Sequence, residues 1–366
     1  MLTNAGGRLP GDVFVAKLTD EGSSGAWGWA LRAGGLAYER ANALAVKDGR
    51  VYVGGYFDGP TAAFGGATLT SSGNRDAFVA RITDGGTAGQ WTWAQKADGL
   101  GAEVVTALAV GSGGVYVAGH FNGPTAGFGA VALTSEGIMD GFVAKLTDQG
   151  SSGAWGWVQQ VGGRGADVPQ AVTVDGGTLY VAGYITSDSA RFGPTVLVKA
   201  GAAGLFVAAL ADGGATGAWA WGQQGGGAGD DRAVTLARHG STLYVGGSAG
   251  SRTVRFGSHA VTKGGTGPDY SSGFLAALGE TPPVVPGEEG CGPLTLWPNP
   301  AHDSVRLGGA VTGPLHVVDA VGRLVRTLTL EAKAAGQDSR VLDLRGLPVG
   351  VYVLRTGCQQ KRLVVD

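Results

Sequence analysis

Four carboxylates recur at a fixed interval: Glu39, Glu103, Asp167 and Asp231 each lie 64 residues from the next. Asp20, Asp84, Asp148 and Asp212 form a second series on the same interval, and Asp12, Asp76 and Asp140 a third. Periodic carboxylates have two chemical uses. They can accept backbone N–H groups and fix the turns between strands, or one series can form a ring of hard oxygen ligands for a cation such as calcium. Glu39, Glu103, Asp167 and Asp231 are the candidates for such a ring, because each just precedes the strand expected to be innermost. No other cofactor is implied.

Other reactive residues add little. His120, His239, His259, His302 and His316 are scattered without metal-ligand spacing, and His120 holds a variable strand-end position where other units carry Tyr56, Tyr184 or Ser248. The H-E-x-x-H, G-x-S-x-G, P-loop and C-x-x-C motifs are absent. A glycosidase or lyase would need paired acids that break the repeat symmetry. The best non-periodic candidates are Arg252, Arg255, His259, Lys263, Asp269 and Tyr270, in the last repeat.

The same period sets the surrounding elements. Trp27 and Trp29 recur as Trp91 and Trp93, Trp155 and Trp157, then Trp219 and Trp221, in steps of 64 residues. Tyr52, Tyr116, Tyr180 and Tyr244 keep the step, as do Phe14, Phe78, Phe142 and Phe206. Phe274 follows Phe206 by 68 residues, so four residues are inserted after Gly257. Within a unit the apolar residues alternate, which means strands and not helices. ANALAV (41–46) and RVYVGGYF (50–57) flank a turn, and DAFVARI (76–82) and WTWAQ (91–95) follow. FGGATLTSSG (64–73) is a longer connection with room for a short extra strand.

Four antiparallel strands at a fixed period predict a β-propeller blade. A β-solenoid or a two-sheet sandwich ranks below it, since a 64-residue coil is long and a sandwich does not require strict spacing. The Trp-x-Trp spacing predicts both indoles on one face of the fourth strand, packed with the tyrosine series against the neighbouring blade. Each would bury roughly 150–250 Å². The fold class is therefore all-β: a propeller of about four to five blades, then a small β-sandwich. The repeats run as two strands, three whole units and three strands. Either an N-terminal strand completes the last blade or further blades lie upstream. The start, MLTNAGGRLPGD, has neither the basic stretch nor the apolar core of a signal peptide, which favours the second.

Composition agrees with a turn-rich β protein: 70 glycines, 14 prolines, 15% charged and 43% hydrophobic residues. That much apolar surface can offset the entropy of ordering the chain. A net charge of −2 provides no basic field, which excludes nucleic acid as a partner. No apolar run reaches the roughly 18 residues a spanning helix needs.

The period ends at residue 278. Residues 1–278 are read as the repeat domain, the Pro- and Glu-rich 279–292 as a linker, and 293–366 as a second domain of six or seven short strands. The two cysteines, Cys291 and Cys358, are either free thiols or a disulfide closing that domain.

Two resemblances carry family expectations. Residues 41–278 resemble the SBBP-like β-propeller repeats of bacterial surface and secreted proteins, with FVAKLTD (14–20), WGWALRAGG (27–35), ANALAV and VYVGGYF as the first matches. That implies a fold and an extracellular location, and no single activity. The C-terminal segment resembles the sorting domain of the type IX (Por) secretion system of Gram-negative bacteria. The residues are Pro298, Asn299 and Pro300; Asp319 and Gly322; Leu347, Pro348, Gly350 and Tyr352; and the closing strand with Lys361, Leu363 and Val364. The resemblance implies passage across the outer membrane through that machinery, removal of the domain by its sortase, and attachment to surface lipopolysaccharide or release. The repeat domain is expected to bind a glycan or protein, or to act as a scaffold. The alternative is a secreted carbohydrate-active enzyme.

Overall fold

The computed structural model describes residues 11–263, 272–279, 295–308, 313–319, 324–330, 339–355 and 360–365. The chain is all-β, with no helix among the described residues, and divides into two compact units, Met1–Glu280 and Thr281–Asp366.

The first unit opens with β1 (Val13–Asp20) and β2 (Gly25–Ala33). Next come β3 (Glu39–Lys47), β4 (Arg50–Phe57), the short hairpin β5 (Thr61–Phe64) and β6 (Ala67–Thr70), β7 (Asp76–Asp84) and β8 (Gly89–Gly99). One period later these recur as β9 (Ala102–Val110), β10 (Val115–Asn122), β11 (Thr125–Phe128), β12 (Val131–Thr134), β13 (Asp140–Asp148) and β14 (Gly153–Gly162). The third set is β15 (Asp167–Asp175), β16 (Thr178–Ile185), β17 (Ser189–Phe192), β18 (Thr195–Val198), β19 (Gly204–Asp212) and β20 (Gly217–Gly226). The last is β21 (Asp231–His239), β22 (Thr242–Ala249), β23 (Thr253–Phe256), β24 (His259–Thr262) and β25 (Ser272–Gly279).

Apart from the β5-β6 hairpin, which is a two-stranded sheet of its own, these strands form five antiparallel sheets. The first is β1-β2 and the fifth β21-β22-β25. The second, third and fourth run β3-β4-β7-β8-β11-β12, β9-β10-β13-β14-β17-β18 and β15-β16-β19-β20-β23-β24. The connection expected to carry one extra strand is thus a two-stranded hairpin, and it joins the sheet before its own. β11 pairs with β8, β17 with β14 and β23 with β20. The β5-β6 hairpin reaches the first sheet the same way, through Gly34 and Ala63, which exchange N–H···O bonds of 3.0 Å. Each period therefore laces one sheet to the next.

Local chemistry explains the strand geometry. At the β3-β4 turn, Asp48 and Gly49 both have positive φ (50° and 71°), as a tight two-residue hairpin requires. Within each first strand one residue is bulged, seen as a register shift at Ala41/Ala43 and Pro169/Ala171. Across from the bulge sits a glycine that nothing larger can replace. A Cβ on Gly183 would collide with the Val168 carbonyl oxygen and come within 2.9 Å of Phe206. Gly183→Ala is expected to cost about 1–3 kcal/mol, read as a lowered melting temperature of the first unit.

Consecutive sheets pack face to face. Val13, Val15 and Ala33 of the first meet Phe78, Ile82 and Trp91 of the second. Tyr52, Val79 and Trp93 meet Val105, Leu108, Phe142 and Leu146 of the third. Tyr116, Val143 and Trp157 meet Val172, Phe206 and Leu210 of the fourth, whose Tyr180 and Val207 meet Ala233, Leu243 and Val245 of the fifth.

The tryptophan pairs depart from the same-face expectation. Arg81 pairs with Trp93 and Ile82 with Trp91, so Thr92 is bulged out and the two indoles point to opposite faces. Trp91 packs back on the first sheet and Trp93 forward on the third. Trp155 and Trp157, and the buried Trp219, follow the same pattern. Trp29 is partly buried, whereas Trp27 (73% exposed), Trp221 and Tyr244 are exposed towards the ends of the stack.

The second unit has seven described strands: β26 (Thr295–Trp297), β27 (Ser304–Gly308), β28 (Gly313–Asp319), β29 (Leu324–Leu330), β30 (Ser339–Asp343), β31 (Gly350–Arg355) and β32 (Gln360–Val365). They form two sheets, β26-β27-β30 and β29-β28-β31-β32. One core lies between them, with Val305, Leu307 and Leu342 against Leu315, Val317, Leu354 and Leu363. Cys291 and Cys358 lie outside the described residues.

Candidate functional site

The Asp84, Asp148 and Asp212 series closes the junctions between sheets. Asp148 ends the third strand of its sheet and accepts Arg81 (2.9 Å), Tyr52 (2.7 Å) and Trp93 (3.2 Å), all from the sheet before. It also accepts the N–H of Gly150 at 2.9 Å, the turn-fixing role that periodic acids predict. Asp212 repeats the set with Lys145 (2.8 Å), Tyr116 (2.6 Å) and Trp157 (2.9 Å). Asp84 accepts Lys17 and Trp29, and among the described residues no tyrosine donates to it. Burial pushes the Asp212 carboxyl up, yet donation from Lys145, Tyr116 and Trp157 outweighs it and holds the group at about 2. The same balance, with Tyr52, the Gly150 N–H, Trp93 and Arg81 as donors, holds Asp148 below the usual carboxylate range.

The fourth junction uses different chemistry. Ala209 stands where Lys17, Arg81 and Lys145 stand earlier. Arg238 of the fifth sheet compensates, donating to the Tyr180 hydroxyl (2.6 Å) and pairing with Asp175 (2.9 Å).

Glu39, Glu103, Asp167 and Asp231 are all buried, one at the start of each inner strand. The structure does not gather them into a cation ring: among the described residues, no three His, Cys, Asp or Glu side chains come together as a metal site. Two are instead saturated by neighbouring donors. Asp167 accepts Ser187 Oγ and the N–H groups of Thr186 (3.1 Å) and Ser187 (3.2 Å). Asp231 accepts Ser251 Oγ and the N–H groups of Gly227 (2.7 Å) and Ser251 (3.0 Å).

The glutamates behave differently. Among the described residues neither oxygen of Glu103 has a hydrogen-bond partner, and the residue is fully buried. Burial first, then the charges of Asp76 and Asp98, push its carboxyl up to about 8. Burial raises Glu39 to about 7. A carboxyl raised in the folded state stabilises most below its unfolded value near 4.5, and that contribution fades as pH climbs towards 8. Glu103→Gln is therefore expected to flatten the stability profile between about pH 4.5 and 8 and to raise the melting temperature at about pH 9; a series of thermal melts across pH checks it.

The remaining candidates do not converge. Arg252, Arg255 and His259 lie exposed on or beside the β23-β24 hairpin with the half-buried Lys263, while Asp269 and Tyr270 lie outside the described residues. His120 is half-buried, and burial with the nearby Arg75 charge lowers it to about 4. A cleft of about 310 Å³ opens between the second and third sheets, lined by Lys47, Arg50, Tyr52, Gly113 and Asp148 among others. Asp76 and Glu103 are near enough for their charges to interact, but both belong to the periodic series and both are fully buried.

In the second unit the motif residues meet across the sequence. Pro298, Asn299 and Pro300 form the turn after β26, and Asn299 Oδ1 accepts the Val364 N–H at 2.8 Å. Ala301 N–H donates to the Val364 carbonyl at 2.9 Å, which pins the last strand to the first turn. Tyr352 donates to the Pro348 carbonyl at 2.7 Å, and Leu347 packs on the core just before β31, which Gly350 begins. Asp319 ends β28 opposite Tyr352, Lys361 is exposed on β32, and Gly322 lies outside the described residues.

Comparison with known proteins agrees with that geometry. Residues 295–365 match the family described as secretion system C-terminal sorting domain. This match supports an exported protein that uses the type IX machinery and associates with the cell surface or outer membrane. A stretch of 138 residues is 33% identical to part of "Regulatory protein FlaEY" of Caulobacter vibrioides, covering 36% of this chain and 13% of that protein. The chain thus spans about an eighth of the length of the curated relative it matches.

Proposed function

We propose that the chain is a surface-displayed binding or scaffold protein, with residues 1–278 as a β-propeller-type body, 279–292 as a linker and 293–366 as its export address. The observation that carries this reading is the closed C-terminal module, whose Asn299-to-Val364 clip joins the first and last elements of the sorting motif. Its partners are the type IX machinery and the associated sortase, which recognise the folded module that Pro298, Pro300, Leu347, Pro348 and Tyr352 help to shape. Removal of the module then leaves the body attached to surface lipopolysaccharide or released.

Successive antiparallel sheets stacked face to face at one period support the propeller reading of the body. The junction acids serve as structural acceptors, and the exposed cleft beside Lys47 and Arg50 is the candidate contact for an anionic glycan or acidic protein segment. The test uses intact cells of a bacterium with the type IX system. External protease is expected to digest the repeat body in the wild-type strain and to spare it in a strain lacking the machinery. Equal digestion in both strains, or none in either, would overturn the reading.

A further inference from the structure

Three junctions between sheets bring two acids side by side, as Asp12 with Glu39, Asp76 with Glu103 and Asp140 with Asp167. The fourth has Gly204 in place of the first acid. At two of the three, the chain itself answers the charge. Arg32 pairs with Asp12 at 2.5 Å in the first. In the third, Ser187 Oγ donates to Asp167, and Asp140 accepts Ser135 Oγ (2.8 Å) and the Gly163 N–H (3.3 Å).

The second junction has no such answer. Asp76 Oδ2 accepts the Ser72 N–H at 2.9 Å, but among the described residues Asp76 Oδ1 and both Glu103 oxygens are buried without a partner. Lys96 holds the position of Arg32, yet it turns to Asp98 (2.7 Å) and Ser72 Oγ (2.6 Å). Arg75, whose carbonyl accepts the Glu103 N–H, sends its guanidinium to Asp58. Gly123 stands where the third unit has Ser187. When ionised, Asp76, Asp98 and Glu103 set against Lys96 leave two negative charges over.

The unanswered oxygens converge on a bare glycine. A Cβ on Gly99 would stand 2.5 Å from both Glu103 Oε1 and the Thr125 carbonyl oxygen. The equivalent Cβ on Gly163 would meet the Ser189 carbonyl oxygen and Ser187 Oγ. Glu103 thus puts a carboxylate oxygen where the third junction has a hydroxyl that donates a proton. Acceptors surround that point and the donor is gone.

We propose that the Asp76–Glu103 junction binds one calcium ion, held by the Glu103 carboxylate, Asp76 Oδ1 and the Thr125 carbonyl. This is a single site and not a ring of periodic acids, and a main-chain oxygen serves in place of a third acidic side chain. Hard oxygen donors select calcium or magnesium over softer metals. Calcium accepts irregular shells of carboxylate and carbonyl oxygens, whereas magnesium demands an octahedron and keeps most of its waters, which a closed site excludes. The ion fastens β7 and β11 of the second sheet to β9 of the third.

Equilibrium dialysis of the full-length protein against radioactive calcium tests this, run to constancy because enclosed oxygens exchange slowly. Wild type is expected to take up one equivalent and Glu103→Gln none. Asp76→Asn, which removes the other carboxylate, should bind about tenfold more weakly. Asp167→Asn, at the junction that serine already satisfies, should keep the full equivalent. Calcium should raise the wild-type melting temperature by about 5 °C over EDTA and leave Glu103→Gln unmoved. In EDTA at about pH 9 that variant should melt no lower than wild type, which shows that it folds. Wild type without bound calcium, its two carboxyls sharing only a proton, would overturn the proposal. So would an equivalent that survives Glu103→Gln, or magnesium bound as tightly as calcium.

Discussion

Asp148→Ala is expected to destabilise the N-terminal unit by about 3–5 kcal/mol. Its partner Arg81 has only 9% of its side chain exposed, and Tyr52 and Trp93 direct their polar hydrogens at the same carboxylate. Removing the acceptor leaves a buried guanidinium without its counter-charge, held only by the Gly150 carbonyl and Thr83, and takes the acceptor from a phenol and an indole together, which costs more than any one of those bonds contributes. The loss should lower the melting temperature by roughly 10 °C. Arg81→Met in the same background should recover part of it, because the uncompensated charge is then gone. The pH dependence has a definite sign. Asp148 and Asp212 have folded values below the unfolded value near 4, with Asp212 at about 2. Their stabilisation is present above about pH 4 and is lost as pH falls towards 2. Asp148→Ala should therefore unfold with a shallower dependence on acid than wild type.

Deleting residues 295–365 is expected to abolish surface delivery while the repeat body still folds. That body is a compact unit with its own apolar clusters, so its thermal transition should stay within a few degrees of wild type. The deleted segment contains the whole matched sorting domain. Fractionation should then find the folded body inside the outer membrane and none on the surface or in the medium. Asn299→Ala is a milder version. It removes the acceptor for the Val364 N–H and should lower both the stability of the second unit, by about 1 kcal/mol, and the amount displayed.

Much of this architecture was legible from residue types at fixed intervals. The period of 64 residues locates the strands, and the Pro298–Pro300, Leu347–Tyr352 and Lys361 segments mark the tail. Three features were hidden for physical reasons. The indoles of each Trp-x-Trp pair face opposite ways because one residue between them is bulged, and the small residues Gly28, Thr92, Gly156 and Ala220 are its only trace in the sequence. Asp148 reads locally as a turn acid, while its cross-sheet donors lie 55, 67 and 96 residues away. The β11-β12 hairpin joins the sheet before its own, a pairing that alternation within a strand cannot encode. Polar residues in the bulged position of the inner strand were also missed: Asn42 donates to the Val105 carbonyl (2.8 Å) and Thr106 to that of Pro169 (2.6 Å), stitching neighbouring sheets. A polar side chain recurring inside an apolar run was the available signal.

The ordered stacking of sheets through these aspartates is tested most directly by a double-mutant cycle between Trp93→Phe and Asp148→Ala. The substitutions lie on adjacent sheets and remove the two ends of one hydrogen bond, so they should couple by about 1 kcal/mol. A parallel cycle between Trp93→Phe and Asp212→Ala, two sheets apart, should be additive within about 0.5 kcal/mol. Additivity in the first cycle, or equal coupling in both, would contradict the account.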